Sequence, residues 1–201
     1  MARYQRKDHL HQRAKQDGLR SRAAYKLEEI QKSFRLLSAG QRVLDLGCWP
    51  GSWLELAGRL VGPQGVVVGV DRAKIEPPIE AAQVTALVGD LEETGIANRL
   101  REALGSDRAD VILSDAAPKL SGVRETDRAN EERLLEAIEA LIPQLLVPGG
   151  SLLLKILEGP EAQLIDRRMR GRFAKAKTLK LQSTRKGSTE RYLVARGFRG
   201  E

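Results

Sequence analysis

Residues 43–53 constrain the fold of this chain more than any other stretch. They read Val43-Leu-Asp-Leu-Gly-Cys-Trp-Pro-Gly-Ser-Trp53, which predicts an apolar strand, a glycine-containing turn and the start of a helix. Gly47 and Gly51 carry no Cβ, so the turn lets a ligand approach the backbone directly. In an open α/β sheet, nucleotide-like ligands bind outside the carboxyl end of the first strand, and this turn is expected to lie there.

The spacing of the two glycines indicates which cofactor the turn suits. A dinucleotide-binding turn reads G-x-G-x-x-G and places a pyrophosphate at a helix N-terminus. Here the spacing is Gly47-x-x-x-Gly51, Pro50 interrupts it, and Trp49 and Trp53 flank it. The turn therefore favours a ligand without phosphates, such as S-adenosylmethionine, over a nicotinamide dinucleotide.

Apolar runs alternate with helical patterns along the chain, which predicts an α/β fold with a doubly wound, Rossmann-like, mostly parallel seven-stranded sheet. We expect a basic N-terminal arm over residues 1–20 and a single domain over residues 21–201. Ser21 is the expected N-cap of the first helix, over residues 21–36. The other helices are expected near 52–60, 93–104, 127–142 and 161–171, and the strands near 42–46, 66–70, 84–88, 110–114, 151–156, 177–182 and 191–195.

Charge is distributed unevenly within the net value of +7. Residues 1–35 contain ten Lys/Arg and four Asp/Glu, and residues 167–199 contain twelve and one. Residues 36–166 contain twelve and twenty-one. An acidic centre between two basic ends is typical of an enzyme that binds a polyanion, with RNA as the expected partner. Solvated tails are the alternative, but Ala23, Ala24, Leu27 and Ile30 have helical spacing and weaken it.

Composition excludes several other classes. One cysteine and two histidines cannot form a disulfide framework or a structural zinc site, so no metal is expected. The sequence has no apolar run long enough to span a bilayer and no signal-peptide pattern at its start. We therefore expect a cytoplasmic protein without a membrane partner, and a monomer by default.

Acidic residues stand at the ends of four successive predicted strands: Asp45, Asp71, Asp90 and Asp115. Asp71 can accept hydrogen bonds from both hydroxyls of a ribose, and Asp90 is placed to meet an adenine amino group. One such residue would be weak support, but four on the same rim favour a cofactor site.

Lys155 follows the apolar run Leu152-Leu153-Leu154. Its ammonium group either reaches water at the strand end or lies partly desolvated beside Asp115, as a catalytic lysine would. Its position alone leaves both open.

The chain resembles the FtsJ/RrmJ family of S-adenosylmethionine-dependent ribose 2′-O-methyltransferases over nearly its whole length. The matching segments are Gln16-Asp-Gly-Leu-Arg-Ser-Arg-Ala-Ala-Tyr-Lys-Leu27, Asp45-Leu-Gly-Cys-Trp-Pro-Gly-Ser-Trp53, Ser114-Asp-Ala-Ala-Pro118 with Ser121-Gly122, Gly149-Gly-Ser-Leu-Leu-Leu-Lys155 and Glu190-Arg-Tyr-Leu-Val194. The resemblance implies a catalytic tetrad of Lys26, Asp115, Lys155 and Glu190, and it alone supports Lys26 and Glu190. The expected cofactor-binding residues are Gly47, Trp49, Asp71, Asp90 and Asp115.

The resemblance also implies the reaction, which is methylation of a uridine ribose in large-subunit ribosomal RNA. Lys155 would act as the general base on the 2′-hydroxyl. Relatives acting on transfer RNA or messenger RNA caps share the tetrad, so a transfer RNA substrate stays open, as does a non-catalytic RNA-binding or ribosome-assembly module. A base amino acceptor is disfavoured because no aromatic residue follows Asp115 in Ser114-Asp-Ala-Ala-Pro-Lys119. The low aromatic content predicts that the protein recognises RNA through its backbone charge and shape rather than by stacking on bases.

Overall fold

The computed structural model of the chain describes residues 9–118, 121–157, 159–185 and 187–200. Its strands are β1 (Arg42–Leu46), β2 (Val66–Asp71), β3 (Val84–Val88), β4 (Ala109–Ser114), β5 (Leu146–Leu157), β6 (Phe173–Leu179) and β7 (Glu190–Phe198). Its helices are α1 (His9–Gln16), α2 (Ala23–Phe34), α3 (Ser52–Val61), α4 (Ile96–Leu104), α5 (Arg124–Leu145) and α6 (Pro160–Arg172).

The seven strands form one sheet in the order β3-β2-β1-β4-β5-β7-β6. Strands β1 to β5 run parallel, whereas β7 is antiparallel to both of its neighbours, β5 and β6. The chain moves outward from β1 to β3 and then returns to β4, so the strand order reverses between β1 and β4. Ligands bind at such a reversal, outside the carboxyl ends of the strands.

Helices cover both faces of the sheet. Helices α4, α5 and α6 bury residues such as Leu100, Ile138 and Met169 in one apolar cluster. Helices α2 and α3 bury residues such as Leu27 and Leu54 in a second cluster on the opposite face. The central strands have near-continuous buried runs because both of their faces are covered. The prediction of a doubly wound, mostly parallel seven-stranded sheet is confirmed.

Several element boundaries differ from those predicted. Strand β6 begins at Phe173, four residues before the predicted start, because Phe173 pairs with Phe198 and packs on its ring at a centroid distance of 5.3 Å. Strand β5 begins at Leu146 because Ala109 pairs with Leu146 while Val111 pairs with Ser151. The Pro-Gly-Gly segment between them, expected as a turn, is accommodated as an irregularity within the strand.

The start of α2 also differs. The prediction of Ser21 as N-cap is wrong, because the capping position is Arg22 and no side chain caps the helix there. The hydroxyl of Ser21 still accepts a hydrogen bond from the Ala23 amide (3.2 Å) and lies 2.7 Å from the Ser52 hydroxyl. Ser21 therefore joins the start of α2 to the start of α3.

Part of the predicted N-terminal arm is ordered on the domain. Helix α1 lies in it, Ala14 is buried, and Asp17 accepts a hydrogen bond from the Tyr25 hydroxyl at 2.7 Å. The guanidinium group of Arg20 donates to the carbonyl oxygens of Pro77 (2.6 Å) and Pro78 (2.9 Å). Residues 1–8 lie outside the described residues, and the boundary at residue 20 stays a prediction. None of the described helices is long and apolar enough to cross a bilayer.

Candidate active site

Gly47 brings the turn after β1 against the loop after β4. Its φ is +85°, and a Cβ added there would lie 2.4 Å from the Cβ of Ala116. An L-residue side chain is thus excluded both by the backbone conformation and by the neighbouring loop. The glycine is required here by a contact within the protein, a reason different from the direct ligand access expected from the sequence.

Asp71, at the end of β2, holds the same turn. Its Oδ2 accepts a hydrogen bond from the Trp49 amide at 3.0 Å, and its Oδ1 accepts one from the Ala73 amide at 2.9 Å. The side chain of Trp49 is 58% exposed. Asp71 and Trp49 therefore lie together at the carboxyl end of the sheet, as predicted for two residues of one cofactor site.

Asp90 follows β3 on the same rim. Its Oδ2 lies 2.7 Å from Arg72 Nη2, and its Oδ1 accepts a hydrogen bond from the Glu92 amide at 3.1 Å. Partial burial alone would raise the pKa of Asp90, but the Glu92 amide and the Arg72 guanidinium hold that pKa below its usual range. The residue is therefore a carboxylate at neutral pH.

Asp45 is the least expected feature of the rim. It is 1% exposed, and neither carboxylate oxygen has a hydrogen-bond partner among the described residues. Burial raises the pKa of Asp45, and Asp115 and Asp71 raise it further. Asp45 lines a cavity together with Ala23, Gly47, Cys48, Trp49, Pro50, Ser52, Trp53 and Asp115. Unpaired buried carboxyl groups are costly, so this one calls for a donor or a cation in the cavity.

Two lysines converge on Asp115, just after β4. Lys155 Nζ, from β5, lies 3.3 Å from Asp115 Oδ1 and donates to the Asp115 carbonyl oxygen at 2.5 Å. Lys26 Nζ, from α2, lies 3.3 Å from Asp115 Oδ2 and 3.3 Å from Glu190 Oε2. Both lysines are buried, at 6% exposure for Lys26 and 8% for Lys155. The four residues of the predicted tetrad thus form one connected cluster.

The electrostatics of the cluster centre on Asp115. Burial alone would raise the pKa of this carboxyl group. The ammonium groups of Lys155 and Lys26 and a hydrogen bond from Tyr192 outweigh burial, so the pKa of Asp115 lies below its usual range. Asp115 therefore carries its charge at neutral pH and balances part of the charge of the two lysines.

Tyr192 belongs to the cluster and was not predicted from the sequence. Its hydroxyl donates to Asp115 Oδ1 at 2.6 Å, and Lys26 Nζ lies 5.3 Å from the centroid of its ring. Burial and the Asp115 carboxylate both raise the pKa of the Tyr192 hydroxyl, so it stays a donor. Tyr192 is two residues from Glu190 on one strand and so shares its face, a signal that the sequence contained.

The start of α2 is tied to the start of α3, directly after the turn that follows β1. The indole of Trp53 donates to the Ala23 carbonyl oxygen at 2.7 Å, beside the Ser21–Ser52 contact. Arg22, at the cap of the same helix, donates to the Ser183 carbonyl oxygen at 2.6 Å. Burial lowers the pKa of Arg22, and so does nearby Arg185, while Glu190 and Asp115 act in the opposite direction. These residues fix the helix that carries Lys26.

A second cavity is bordered by Lys155, whose ammonium group contacts Asp115 in the wall of the first. Its lining residues are Ala116, Ala117, Pro118, Glu131, Leu134, Leu135, Lys155 and Leu157. Lys155 thus borders one cavity and Asp115 the other. Lys119 and Leu120, which follow Pro118, lie outside the described residues. Among the residues that are described, no group of three or more His, Cys, Asp or Glu could hold a metal ion.

The fold, the carboxylate-lined cavity and the lysine cluster together define an S-adenosylmethionine-dependent methyltransferase. A cofactor with a sulfonium and an ammonium group suits Asp45 and Asp115, whereas the pyrophosphate of a dinucleotide would meet carboxylates. The chain belongs to the FtsJ family, since the model described as FtsJ-like methyltransferase matches residues 19–198. The resemblance inferred from the sequence is confirmed.

Curated relatives match almost the whole chain. The ribosomal RNA large subunit methyltransferase E of Cenarchaeum symbiosum is 40% identical over 195 residues, which is 97% of each chain. The protein of the same name from Acidithiobacillus ferrooxidans is 41% identical over 194 residues, covering 96% of this chain and 87% of its own. These relatives confirm the predicted class of enzyme, while the individual site residues stay predictions.

Solved structures share the fold. A ribosomal RNA methyltransferase from Plasmodium falciparum, assigned as putative in its name, superposes with a TM-score of 0.79 at 29% identity, covering 90% of this chain and 100% of its own. Fibrillarin from Aeropyrum pernix, solved with bound S-adenosyl-L-methionine, has a TM-score of 0.60 at 16% identity, covering 86% and 75% of the two chains. The fibrillarin match shows the fold alone.

Proposed function

We propose that this protein transfers a methyl group from S-adenosylmethionine to a ribose 2′-oxygen of large-subunit ribosomal RNA, at a uridine. The observation that carries this proposal is the pairing of two buried lysines with a single partly buried aspartate, Asp115, beside two cavities. One cavity suits the cofactor, and the other opens toward an acceptor beside Lys155.

Two observations support RNA as the substrate. The curated relatives are named as methyltransferases of the large-subunit ribosomal RNA. The basic ends of the chain, with twelve Lys/Arg and one acidic residue over 167–199, suit a polyanion whose affinity comes mainly from phosphate contacts.

The cofactor supplies a methyl group already activated by its positive sulfur. The residues proposed to hold it are those of the carboxylate-lined rim, Gly47, Trp49, Asp71, Asp90 and Asp115, together with Asp45. Asp45 supports the fit because it lines the first cavity and neither of its carboxylate oxygens has a hydrogen-bond partner among the described residues, so a cationic ligand would supply one. Alignment of the reacting atoms can lower a barrier by about 7–11 kcal/mol, so positioning is the main task of this rim.

Lys155 is the proposed general base, in the amine form that its ammonium group gives on releasing one proton to solvent before methyl transfer. A neutral amine has two N–H groups and one lone pair, and the carbonyl and Oδ1 of Asp115 offer acceptors for the two N–H groups. The lone pair is then left to accept the 2′-hydroxyl proton as the oxygen attacks the methyl carbon. The proton ends on Lys155, and the carbon–sulfur bond electrons return to sulfur.

The other members of the cluster hold Lys155 and its partner in place. Asp115 bonds to Lys155 through two oxygens, and Lys26 links Asp115 to Glu190. Lys26 also places a positive charge near the reacting oxygen, which favours its developing negative charge. We propose positioning roles for Asp115 and Glu190 and an electrostatic role for Lys26.

Other methyl acceptors fit the site less well. Carbon methylation of a pyrimidine needs a cysteine nucleophile, but Cys48 is buried and burial raises the pKa of its thiol. Its sulfur packs against Gly69, 2.8 Å from the position that a Cβ on that glycine would occupy.

We also propose that the enzyme works as a cytoplasmic monomer.

To test this, the protein is incubated with labelled S-adenosylmethionine and, separately, with large-subunit ribosomal RNA, assembled large subunits or bulk transfer RNA. The labelled nucleoside is then mapped. Label on a 2′-O-methyluridine of the ribosomal substrates supports the proposal. Label confined to transfer RNA would reassign the substrate, and cofactor binding without transfer to any RNA would favour a binding or assembly module.

A further inference from the structure

Four basic side chains at one edge of the sheet take no part in the site described above. They are exposed and lie at the end of α2 and on strands β6 and β7: Arg35, Lys175, Lys177 and Arg196. We refer to these four residues as the basic edge. None of them forms an ion pair with a carboxylate of the described residues.

Strand pairing and side-chain contacts bring the four residues to one face. Lys175 pairs directly with Arg196 and Lys177 with Val194, so these side chains project on the same side of the β6–β7 ladder. Lys177 Nζ lies 6.0 Å from the centroid of the Phe34 ring, and Arg196 donates to the carbonyl oxygens of Phe34 and Arg35. The C-terminal end of α2 therefore lies against the two strands.

The basic edge contains two arrangements that are unfavourable in the free protein. Lys175 and Arg196 are like charges at directly opposed positions of an antiparallel pair, which destabilises a sheet. Arg35 has φ +47° and is the one non-glycine residue with a positive φ among the described residues. Most helices that end this way place glycine there. An anionic ligand would relieve the charge repulsion and would use the arginine side chain.

Few acidic groups are available to neutralise this surface from within. Between residues 173 and 199 the sequence has eight Lys/Arg and one acidic residue, Glu190, which is paired with Lys26. On α2, Glu29 is engaged with the amides of Gln182 and Ser183. The positive charge of the basic edge is therefore presented to solvent.

Lysines on an edge strand can also serve only to prevent that strand from pairing with another chain, which is a simpler explanation than ligand binding. The opposite edge of the same sheet tests this reason, because β3 is also terminal. Strand β3 reads Val-Thr-Ala-Leu-Val and carries no charge, and Val88 at its end is 51% exposed. Edge protection alone does not account for charge on only one of two terminal strands.

The basic edge is connected to the catalytic cluster by one strand face. Glu190, Tyr192, Val194 and Arg196 alternate along β7 and so share a face. Lys155 pairs with Tyr192, four residues before Arg196, so the basic edge begins about 13 Å along the strand from the reacting site. A long polyanion reacting at Lys155 could reach both places, whereas a mononucleotide could not.

We propose that the basic edge binds the phosphate backbone of the RNA that flanks the methylated nucleotide, as a contact separate from the reacting site. This inference rests on the proposed function, since it assumes that RNA is the substrate. The contact would raise affinity for long RNA without reading its sequence.

The test compares Lys175→Gln/Lys177→Gln with Arg59→Gln/Arg133→Gln, which removes the same charge from exposed positions on α3 and α5, outside the basic ends of the chain. Binding of transcribed large-subunit ribosomal RNA is measured against salt concentration, without cofactor turnover. For the first pair we expect a Kd about tenfold higher and a salt dependence lowered by about 1.4–1.8 in log–log slope, with the control pair near wild type.

Equal effects of the two pairs, or no effect of either, would overturn the inference. Methyl transfer at saturating RNA should keep its kcat in the first pair, because neither lysine belongs to the cluster, and a lowered kcat would also contradict the inference. Thermal unfolding confirms that each variant is folded. Failure of the proposed function shows separately, as absence of methyl transfer to RNA by the wild type.

Discussion

Lys155 donates to the backbone carbonyl oxygen of Asp115 at 2.5 Å and lies 3.3 Å from Oδ1 of the same residue. One neighbour thus engages the amine through two oxygens, one of them neutral and held by the backbone after β4. This arrangement fixes the direction of the Lys155 nitrogen, and general-base catalysis by Lys155 depends on that direction.

Asp115→Asn should destabilise the protein, because two buried ammonium groups would lose their shared counter-charge. Removing one partner of a buried ion pair typically costs about 3–5 kcal/mol. We expect a loss of that order in the free energy of unfolding at pH 7, measured by urea denaturation. A loss below about 1 kcal/mol would mean that the lysines do not depend on Asp115.

The same variant should change how stability depends on acid. The pKa of Asp115 is lowered in the folded protein, so its contribution is present above the unfolded pKa of about 3.9. That contribution is lost as the pH falls through the lower, folded pKa. Asp115→Asn should therefore lose less stability than the wild type on acidification below about pH 4, and parallel acid curves would contradict the assignment.

Asp45→Asn should stabilise the cofactor-free protein and weaken cofactor binding. The pKa of Asp45 is raised in the folded state, so wild-type stability falls as the pH rises from about 3.9 toward the folded pKa. Between these two pKa values, each rise of one pH unit removes about 1.4 kcal/mol from the stability of the wild type but not from that of the variant. At pH 7 the variant should therefore melt a few degrees higher. The difference should close below about pH 4.

The loss of a charged partner should also raise the Kd for S-adenosylmethionine by about 10- to 100-fold. Calorimetric titration at pH 7 measures this affinity, with S-adenosylhomocysteine as a second ligand that lacks the sulfonium charge. If Asp45→Asn bound the cofactor as the wild type does, another group must satisfy the Asp45 carboxyl.

Gly47→Ala should impair both stability and cofactor affinity. The matched control is Gly40→Ala, because Gly40 also has a positive φ, of +80°, but has no atom within 4 Å of an added Cβ. Both variants bear the backbone strain of about 1–3 kcal/mol. Only Gly47→Ala adds the overlap with Ala116, which should cost about 1–3 kcal/mol more. Equal melting temperatures for the two variants would show that the contact with Ala116 is not tight.

The sequence predicted the central part of the fold well because its signals are local. Strands β1 and β2 are apolar runs that end at acidic residues, and the sheet covers both of their faces. The start of strand β6 was placed four residues too late, at Lys177, because Ala174 and Lys175 resemble a solvated segment. Its start depends on Phe173 packing against Phe198, a contact between distant parts of the chain.

The candidate site was predicted to a similar extent. The resemblance named the tetrad, and the structure brings its four members together. The unpaired state of Asp45 could not be predicted, because it depends on burial by several elements and on which donors fail to reach it. Tyr192 was missed, although its spacing from Glu190 placed both on one face.

The most direct test of the central claim is the rate of methyl transfer by Lys155→Met, which matches the unbranched side chain as far as Cε but has no amine to accept a proton. Single-turnover transfer to large-subunit ribosomal RNA is measured at saturating cofactor, with cofactor affinity titrated on the same samples. We predict a rate lowered by about 10²–10⁴-fold with cofactor affinity within a few-fold of wild type. A variant that transfers methyl groups at a near-normal rate would show that Lys155 is not the base.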